Sequence, residues 1–177
     1  RPFYGLQARG IDGLTDPLTD VASMASLYID AVREVQPTGP YCLGGHSMGG
    51  KVAAEMVRQL ELAGERVSRL VVIDVPGWAE DPMEIPDDTV ALTHIVGQIE
   101  EHYGCRLGIT GLEGLDESAQ YECVMTRMAE RQLVAPGTSR DDLRGLLRVY
   151  KANVQAVLRH RMSPIHADVS AIVSTEL

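Results

Sequence analysis

Tyr41-Cys42-Leu43-Gly44-Gly45-His46-Ser47-Met48-Gly49-Gly50 is the stretch that decides the fold. A short apolar strand runs into Gly44-Gly45, a serine follows, and Val52, Met56 and Leu60 then recur at helical spacing until Gly64. Gly45-His46-Ser47-Met48-Gly49 fits G-x-S-x-G at a strand-to-helix turn. There the chain must turn sharply and hold the serine in a strained conformation that exposes its hydroxyl. Side chains two residues to either side are expected to collide with the neighbouring strand and helix, which accounts for Gly45 and Gly49. His46 is too near Ser47 in sequence to act as its base and is expected to pack beside the elbow. The helix N-terminus favours an oxyanion at this point, and the Met48 backbone N–H is one expected oxyanion donor. The structural alternative is a Gly-rich turn that merely contains a serine. A phosphate-binding loop fails, because Gly-Lys-Ser/Thr is absent and Lys51 lacks the flanking pattern.

Outward from the elbow, the segments alternate. Pro2 to Ala8 resembles a strand, followed by turn-rich Arg9-Gly10-Ile11-Asp12-Gly13. Met24, Leu27, Tyr28, Ala31, Val32 and Val35 predict a helix with Asp20 as N-cap, stopped by Pro37-Thr38-Gly39-Pro40. Arg69 to Ile73 is a continuously apolar strand closed by Asp74, and continuous apolarity predicts burial on both faces, as in a parallel sheet. Strand, helix, strand, helix, strand is an α/β pattern. Asp168 to Val173 predicts a further strand.

From Pro76 the pattern changes. Residues 79–125 carry 11 acidic side chains and one basic, Arg106, whereas residues 126–161 carry eight basic and three acidic. Both zones predict helices. One has the stripe Leu92, Ile95, Val96, Ile99. The other has Leu143, Leu146, Leu147, Tyr150, Val154 and Leu158 behind a capping box at Ser139 and Asp142. The charge blocks are either solvated helix faces or acidic and basic helices that pair across a helical insertion.

The 177 residues are 45% apolar and 23% charged, with a net charge of −9. That is single-domain length and an ordinary globular composition. The acidity disfavours general nucleic-acid binding, which needs a basic face. No stretch approaches the length of a membrane span. Cys42, Cys105 and Cys123 form no CxxC pair and predict free thiols in a reducing compartment. His102 with Cys105 and Cys123 matches no common metal spacing. Arg1 stands where a Met would open a complete chain, and the stretch is expected to be part of something longer.

A serine needs a base, and the base needs an orienting acid. In the strand–elbow–helix arrangement the chain order is serine, acid, histidine. Asp74 follows the next buried strand, which places a carboxylate at the same edge of a parallel sheet as the elbow. The alternative for Asp74 is a strand-terminating cap before Pro76. The histidine is harder to place. His94 and His102 lie in the acidic helical zone and predict surface or packing roles. His160 falls at a helix end, where a cationic ring suits the dipole. His166 precedes the last strand rather than following it.

Tyr4-Gly5-Leu6-Gln7-Ala8, Val35 to Tyr41, Gly45 to Gly50, Leu70 to Asp74 and Val149-Tyr150-Lys151-Ala152-Asn153 together resemble a type I thioesterase domain. Such domains close fatty acid synthases, polyketide synthases and non-ribosomal peptide synthetases. The resemblance covers nearly the whole chain and is weakest across residues 81–140. It implies an α/β-hydrolase fold, mostly parallel sheet with a helical lid insertion. Residues 1–80 would be the first part of the core, 81–145 the lid, and 146–177 the returning helix and strand. It also implies that Ser47 is the acyl-accepting nucleophile and Asp74 the triad acid. The family's first core strand with the second oxyanion donor, and its triad histidine, match nothing in residues 1–177. The stretch alone is therefore expected to be nearly inactive.

The implied partner is an acyl or peptidyl carrier protein, in the same polypeptide, presenting a thioester on 4'-phosphopantetheine. No bound organic cofactor, metal, nucleic acid or membrane is expected, and the expected compartment is the cytoplasm. The rivals are a carboxylesterase or acyltransferase of the same fold, and a non-catalytic module that binds acyl carrier or a partner helix.

Overall fold

The computed structural model describes residues 2–75, 84–135 and 137–174. The expected boundary at 80/81, and Pro76 with it, lies outside the described residues. The chain divides into two compact units. One comprises residues 1–6, 18–84 and 153–177, and the other residues 7–17 and 85–152.

The first unit is built on a parallel three-stranded sheet in the order β1-β2-β3, with β1 at Tyr41–His46, β2 at Val67–Ile73 and β3 at Val169–Ile172. Helix α1 (Val21–Val35) begins where the sequence predicts. The Asp20 carboxylate accepts from the Ser23 amide at 2.7 Å, which satisfies one of the helix's orphan donors. Helix α2 (Met48–Leu62) starts one residue after Ser47 and gives way to Gly64 at φ 77°. Val21, Met24, Ala25 and Ile29 of α1 share a core with Val52, Ala53, Met56, Val57 and Leu60 of α2 and with Tyr41, Val67, Leu70 and Val72 of the sheet.

Two expectations fail here. Pro2 to Ala8 is not a strand. No described strand pairs with it, and Phe3 is 96% exposed. The second concerns β2, which is not buried on both faces. Leu70 and Val72 are buried in the core, while Ile73 on the opposite face is 37% exposed. The apolar run Leu70 to Ile73 therefore alternates in burial, because its even-numbered residues face the packed helices.

The second unit is helical. It holds α3 (Asp88–Tyr103), a 3-10 turn (Leu112–Gly114), α4 (Glu117–Glu130) and the part of α5 (Arg140–Arg159) up to Ala152. Asp87 and Asp116 cap α3 and α4 through the Val90 and Ala119 amides, each at 2.9 Å. The Ser139–Asp142 capping box forms in both directions. The Ser139 amide donates to Asp142 at 2.7 Å and the Asp142 amide to Ser139 Oγ at 3.3 Å. Leu92, Ile95 and Val96 share a core with Tyr121, Val124, Leu143 and Leu147. Buried Gln120 stitches this core by donating to Thr89 Oγ1 and the Leu112 carbonyl.

The charge blocks pair. Arg140 bonds Glu122, Arg144 bonds Glu117, and Lys151 bonds Asp88. All these groups are substantially solvated, so the pairs mainly select which helix faces meet and contribute little net stability.

Residues 7–17 depart from the expected core block 1–80. Their turn lies so close to α5 that a Cβ on Gly145 would come 3.0 Å from the Ile11 carbonyl oxygen. Arg148 also pairs with Asp16. A glycine in mid-helix is costly by about 1 kcal/mol, and here it makes room for a neighbouring backbone.

Candidate active site

The three parallel strands end at one edge of the sheet, and Ser47 and Asp74 follow β1 and β2 at that edge. The Ser47 amide donates to the Ile73 carbonyl at 2.8 Å. The Asp74 amide donates to the Ile172 carbonyl at 2.9 Å. Both residues are thus held by ladder bonds to the adjacent strand.

Both also have unusual backbones. Of the three non-glycine residues at positive φ among those described, two are Ser47 (49°) and Asp74 (44°), and the third is Gln132, after α4. Such conformations cost about 1–3 kcal/mol and persist where the surroundings enforce them. Ser47 stands at the N-cap of α2 with ψ −125°, outside the extended region an N-cap serine usually adopts, and its side chain makes no capping bond. The hydroxyl is therefore not consumed by the helix. The Met48 amide, at the first helical position, donates to no group among the described residues. It belongs to the orphan donors that give a helix start its partial positive charge.

The glycines divide differently from the expectation. A Cβ on Gly45 would lie 2.2 Å from the carbonyl carbon and oxygen of Gly49, which is impossible without moving the backbone. Gly49 has open space where its Cβ would stand. The crowded position on the helix side is Gly50, whose Cβ would come 2.3 Å from Val75 Cγ2 and 3.2 Å from the Gly45 oxygen. The helix start turns the Gly49 side-chain direction outward and the Gly50 direction toward the strands.

His46 is exposed and does not pack beside the elbow. Strand alternation puts it on the same face as exposed Cys42 and Gly44. His166 sits before β3, which runs parallel to β1, so it lies at the sheet edge opposite Ser47. Its amide and that of Ala167 donate to the Glu61 carboxylate at 3.0 and 2.7 Å. His94 and His102 are exposed on α3, where His94 Nδ1 lies 2.9 Å from the Tyr150 hydroxyl.

At His160 burial works against the cationic ring that would suit a helix end. Its Nε2 is buried without a hydrogen-bond partner among the described residues, and burial holds its pKa below the usual histidine value. Glu55 on α2 acts against that shift, whereas Arg58 and Lys51 reinforce it. Glu55 itself is 3% exposed. Burial would raise its pKa, but bonds from Arg58 at 2.6 and 2.7 Å and from Gln59 at 2.9 Å outweigh this and hold it low.

The three cysteines are free thiols. Among the described residues no three His, Cys, Asp or Glu side chains gather as metal ligands, and no helix is long and apolar enough to cross a membrane.

The partners of Asp74 beyond its own strand were not legible in the sequence. The Ser174 amide, following β3, donates to Asp74 Oδ1 at 2.5 Å.

Over 80 residues the chain is 50% identical to polyketide synthase PksR of Bacillus subtilis, a span of 45% of this chain and 3% of that synthase. The chain thus spans only a small part of the relatives it matches. A crystal structure of holo-AB3403, a four-domain non-ribosomal peptide synthetase bound to AMP and glycine, superimposes with a TM-score of 0.87 at 26% identity. That match covers 97% of this chain and 13% of the synthetase. The NocB thioesterase domain, solved as a covalent complex with a fluorophosphonate nocardicin G analogue, gives a TM-score of 0.60 at 23% identity over 95% of this chain and 59% of NocB. These likenesses place the fold in the α/β-hydrolase type. The thioesterase-domain family matches residues 1–171, and this chain belongs to that family.

Proposed function

We propose that the chain is the catalytic part of a chain-terminating thioesterase of a polyketide or non-ribosomal peptide assembly line, with Ser47 as its nucleophile. The observation that carries this reading is the Ser47 backbone. It holds φ 49° and ψ −125° at a helix start, with the hydroxyl withheld from the helix amides.

The substrate is an acyl, peptidyl or polyketide chain held as a thioester on the 4'-phosphopantetheine arm of a carrier protein in the same polypeptide. Ser47 Oγ attacks the thioester carbonyl carbon while a histidine takes its proton. The Met48 amide, with a second donor, holds the oxyanion against the positive end of α2. The C–S bond then breaks, and the pantetheine thiol leaves with the proton carried by the histidine. Water, or a hydroxyl or amine of the chain itself, next attacks the Ser47 ester and releases acid or macrocycle. Asp74 orients the histidine and stabilises its cation.

We assign the base to none of the five histidines in residues 1–177. His166 lies at the sheet edge opposite Ser47, and the Nε2 of His160 is buried. On this assignment the stretch alone turns over little substrate. Residues 81–145 serve as the lid in this proposal.

The test is intact-mass spectrometry of the full-length protein after treatment with an alkyl fluorophosphonate. The expected result is one adduct on Ser47, absent in Ser47→Ala and slowed in Asp74→Asn. Absence of an adduct on the folded protein would overturn the assignment and favour a non-catalytic binding module.

A further inference from the structure

The end of β3 does more than close the sheet. In a parallel ladder a residue donates its amide to one residue of the neighbouring strand and accepts, on its carbonyl, the amide two residues further along that strand. Leu70 and Asp74 both make the first kind of bond to β3, through the carbonyls of Asp168 and Ile172. The next bond in the pattern would run from the Ser174 amide to the Asp74 carbonyl oxygen. Instead the Ser174 amide donates to the Asp74 side chain, at Oδ1. At φ 44° the Asp74 main chain has left the extended path, and its carboxylate takes the Ser174 amide that the ladder pattern would give to its carbonyl.

We propose that the Ser174 main-chain amide is a positioning group that fixes the Asp74 carboxylate for its role as the orienting acid. This rests on the assignment of Asp74 and Ser47 made above. The bond commits Oδ1, while Oδ2 accepts from no described residue. A donor on one oxygen fixes the plane of the carboxylate and leaves the other oxygen for a second partner. A backbone donor suits this task because it is locked into the register of β3, Ile73 opposite Ile172. The serine side chain plays no part, so only a change to the backbone removes the contact.

The test measures the second-order rate of fluorophosphonate labelling of Ser47 in the full-length protein. Ser174→Pro removes the amide hydrogen. A second variant replaces the amide of residue 174 by an ester, using an α-hydroxy acid in cell-free translation, and so keeps the backbone shape if proline disturbs folding. Rates are compared with Ser174→Ala, which retains the amide. Loss of a hydrogen bond to a charged group predicts labelling about 10- to 100-fold slower in the proline and ester variants. In an Asp74→Ala background the same changes should have no further effect, because the amide acts through Asp74. Labelling of the ester variant at the reference rate would overturn the proposal, as would an equal slowing with and without Asp74. A protein in which Asp74→Ala itself leaves the rate unchanged would instead remove the assignment of Asp74, and this inference with it.

Discussion

Ser47 and Asp74 end neighbouring parallel strands, both at positive φ, and the Ser47 amide donates to the carbonyl of Ile73, the residue bonded to Asp74. A single hydrogen bond therefore separates the two backbones. The β1–β2 register, His46 opposite Ile73, brings them to one edge. Strained backbone is held at one sheet edge, beside a helix start whose Met48 amide has no acceptor among the described residues.

The elbow glycines give a sharp contrast. Gly45→Ala would force a Cβ to within 2.2 Å of the Gly49 backbone and should cost more than about 3 kcal/mol or prevent folding. Gly49→Ala meets nothing within 4 Å. It should leave stability unchanged or raise it by up to about 1 kcal/mol through better helix propensity. Urea denaturation of the two variants decides the matter. Equal destabilisation would mean that the turn needs both glycines of the motif.

The sequence made the elbow legible because every signal there is local. A strand, two glycines, a serine and a helical stripe lie within a few turns of chain. The Asp20 cap and the Ser139–Asp142 box were legible for the same reason. What stayed hidden depends on partners distant in sequence. Residues 2–8 have strand-like composition, but no described strand accepts them. The membership of residues 7–17 in the helical unit is set by Gly145 and Arg148, more than a hundred positions away. His160 sits at a helix end, and only its burial in the folded unit pushes its pKa down. The Ser174 amide carries no side-chain signal at all.

His160 makes stability depend on pH in a defined direction. Burial lowers its folded pKa, with Glu55 opposing and Arg58 and Lys51 on α2 reinforcing the shift; Asp20, ahead of α1, also opposes it. A base with a depressed folded pKa contributes stability that is full above its unfolded value, about 6.5. That stability is lost progressively as pH falls from there through the folded value. Urea midpoints measured from pH 7.5 down to 5 should fall in wild type and flatten in His160→Leu. The low pKa of Glu55 acts in a lower window, lost only as pH falls below the ordinary glutamate range, so it does not confuse the test. Parallel pH profiles in the two proteins would show that His160 protonates freely in the folded state.

Glu61 on α2 holds the approach to β3 by accepting the His166 and Ala167 amides. Glu61→Ala should lose about 1.5–3 kcal/mol, the range for hydrogen bonds to a charged group. Hydrogen exchange should show the change first at residues 166 and 167 and spread into β3, while α3 and α4 keep their protection. Unchanged exchange at 166 and 167 would show that the strand is held by its ladder bonds alone.

The α4–α5 ion pairs should be weak and sensitive to salt. Arg144 bonds Glu117 at 3.1 Å and stands 5.4 Å above the Tyr121 ring, yet about half of its side chain is solvated, 51%. An exposed pair contributes at most about 1 kcal/mol. The stacking contact adds about 0.5–1 kcal/mol at such a site. The two contributions separate by variant. Glu117→Gln removes only the pair, and its effect should vanish in 1 M NaCl, where the screening length is about 3 Å. Arg144→Ala also removes the 3.6 Å pair with Asp141, which salt screens too, and the packing over Tyr121, and a residue of its effect should survive high salt. Thermal unfolding of both variants at low and high salt makes the comparison. If salt abolishes the Arg144→Ala effect completely, the guanidinium over Tyr121 adds nothing, and the pairing of the acidic and basic helices is electrostatic alone.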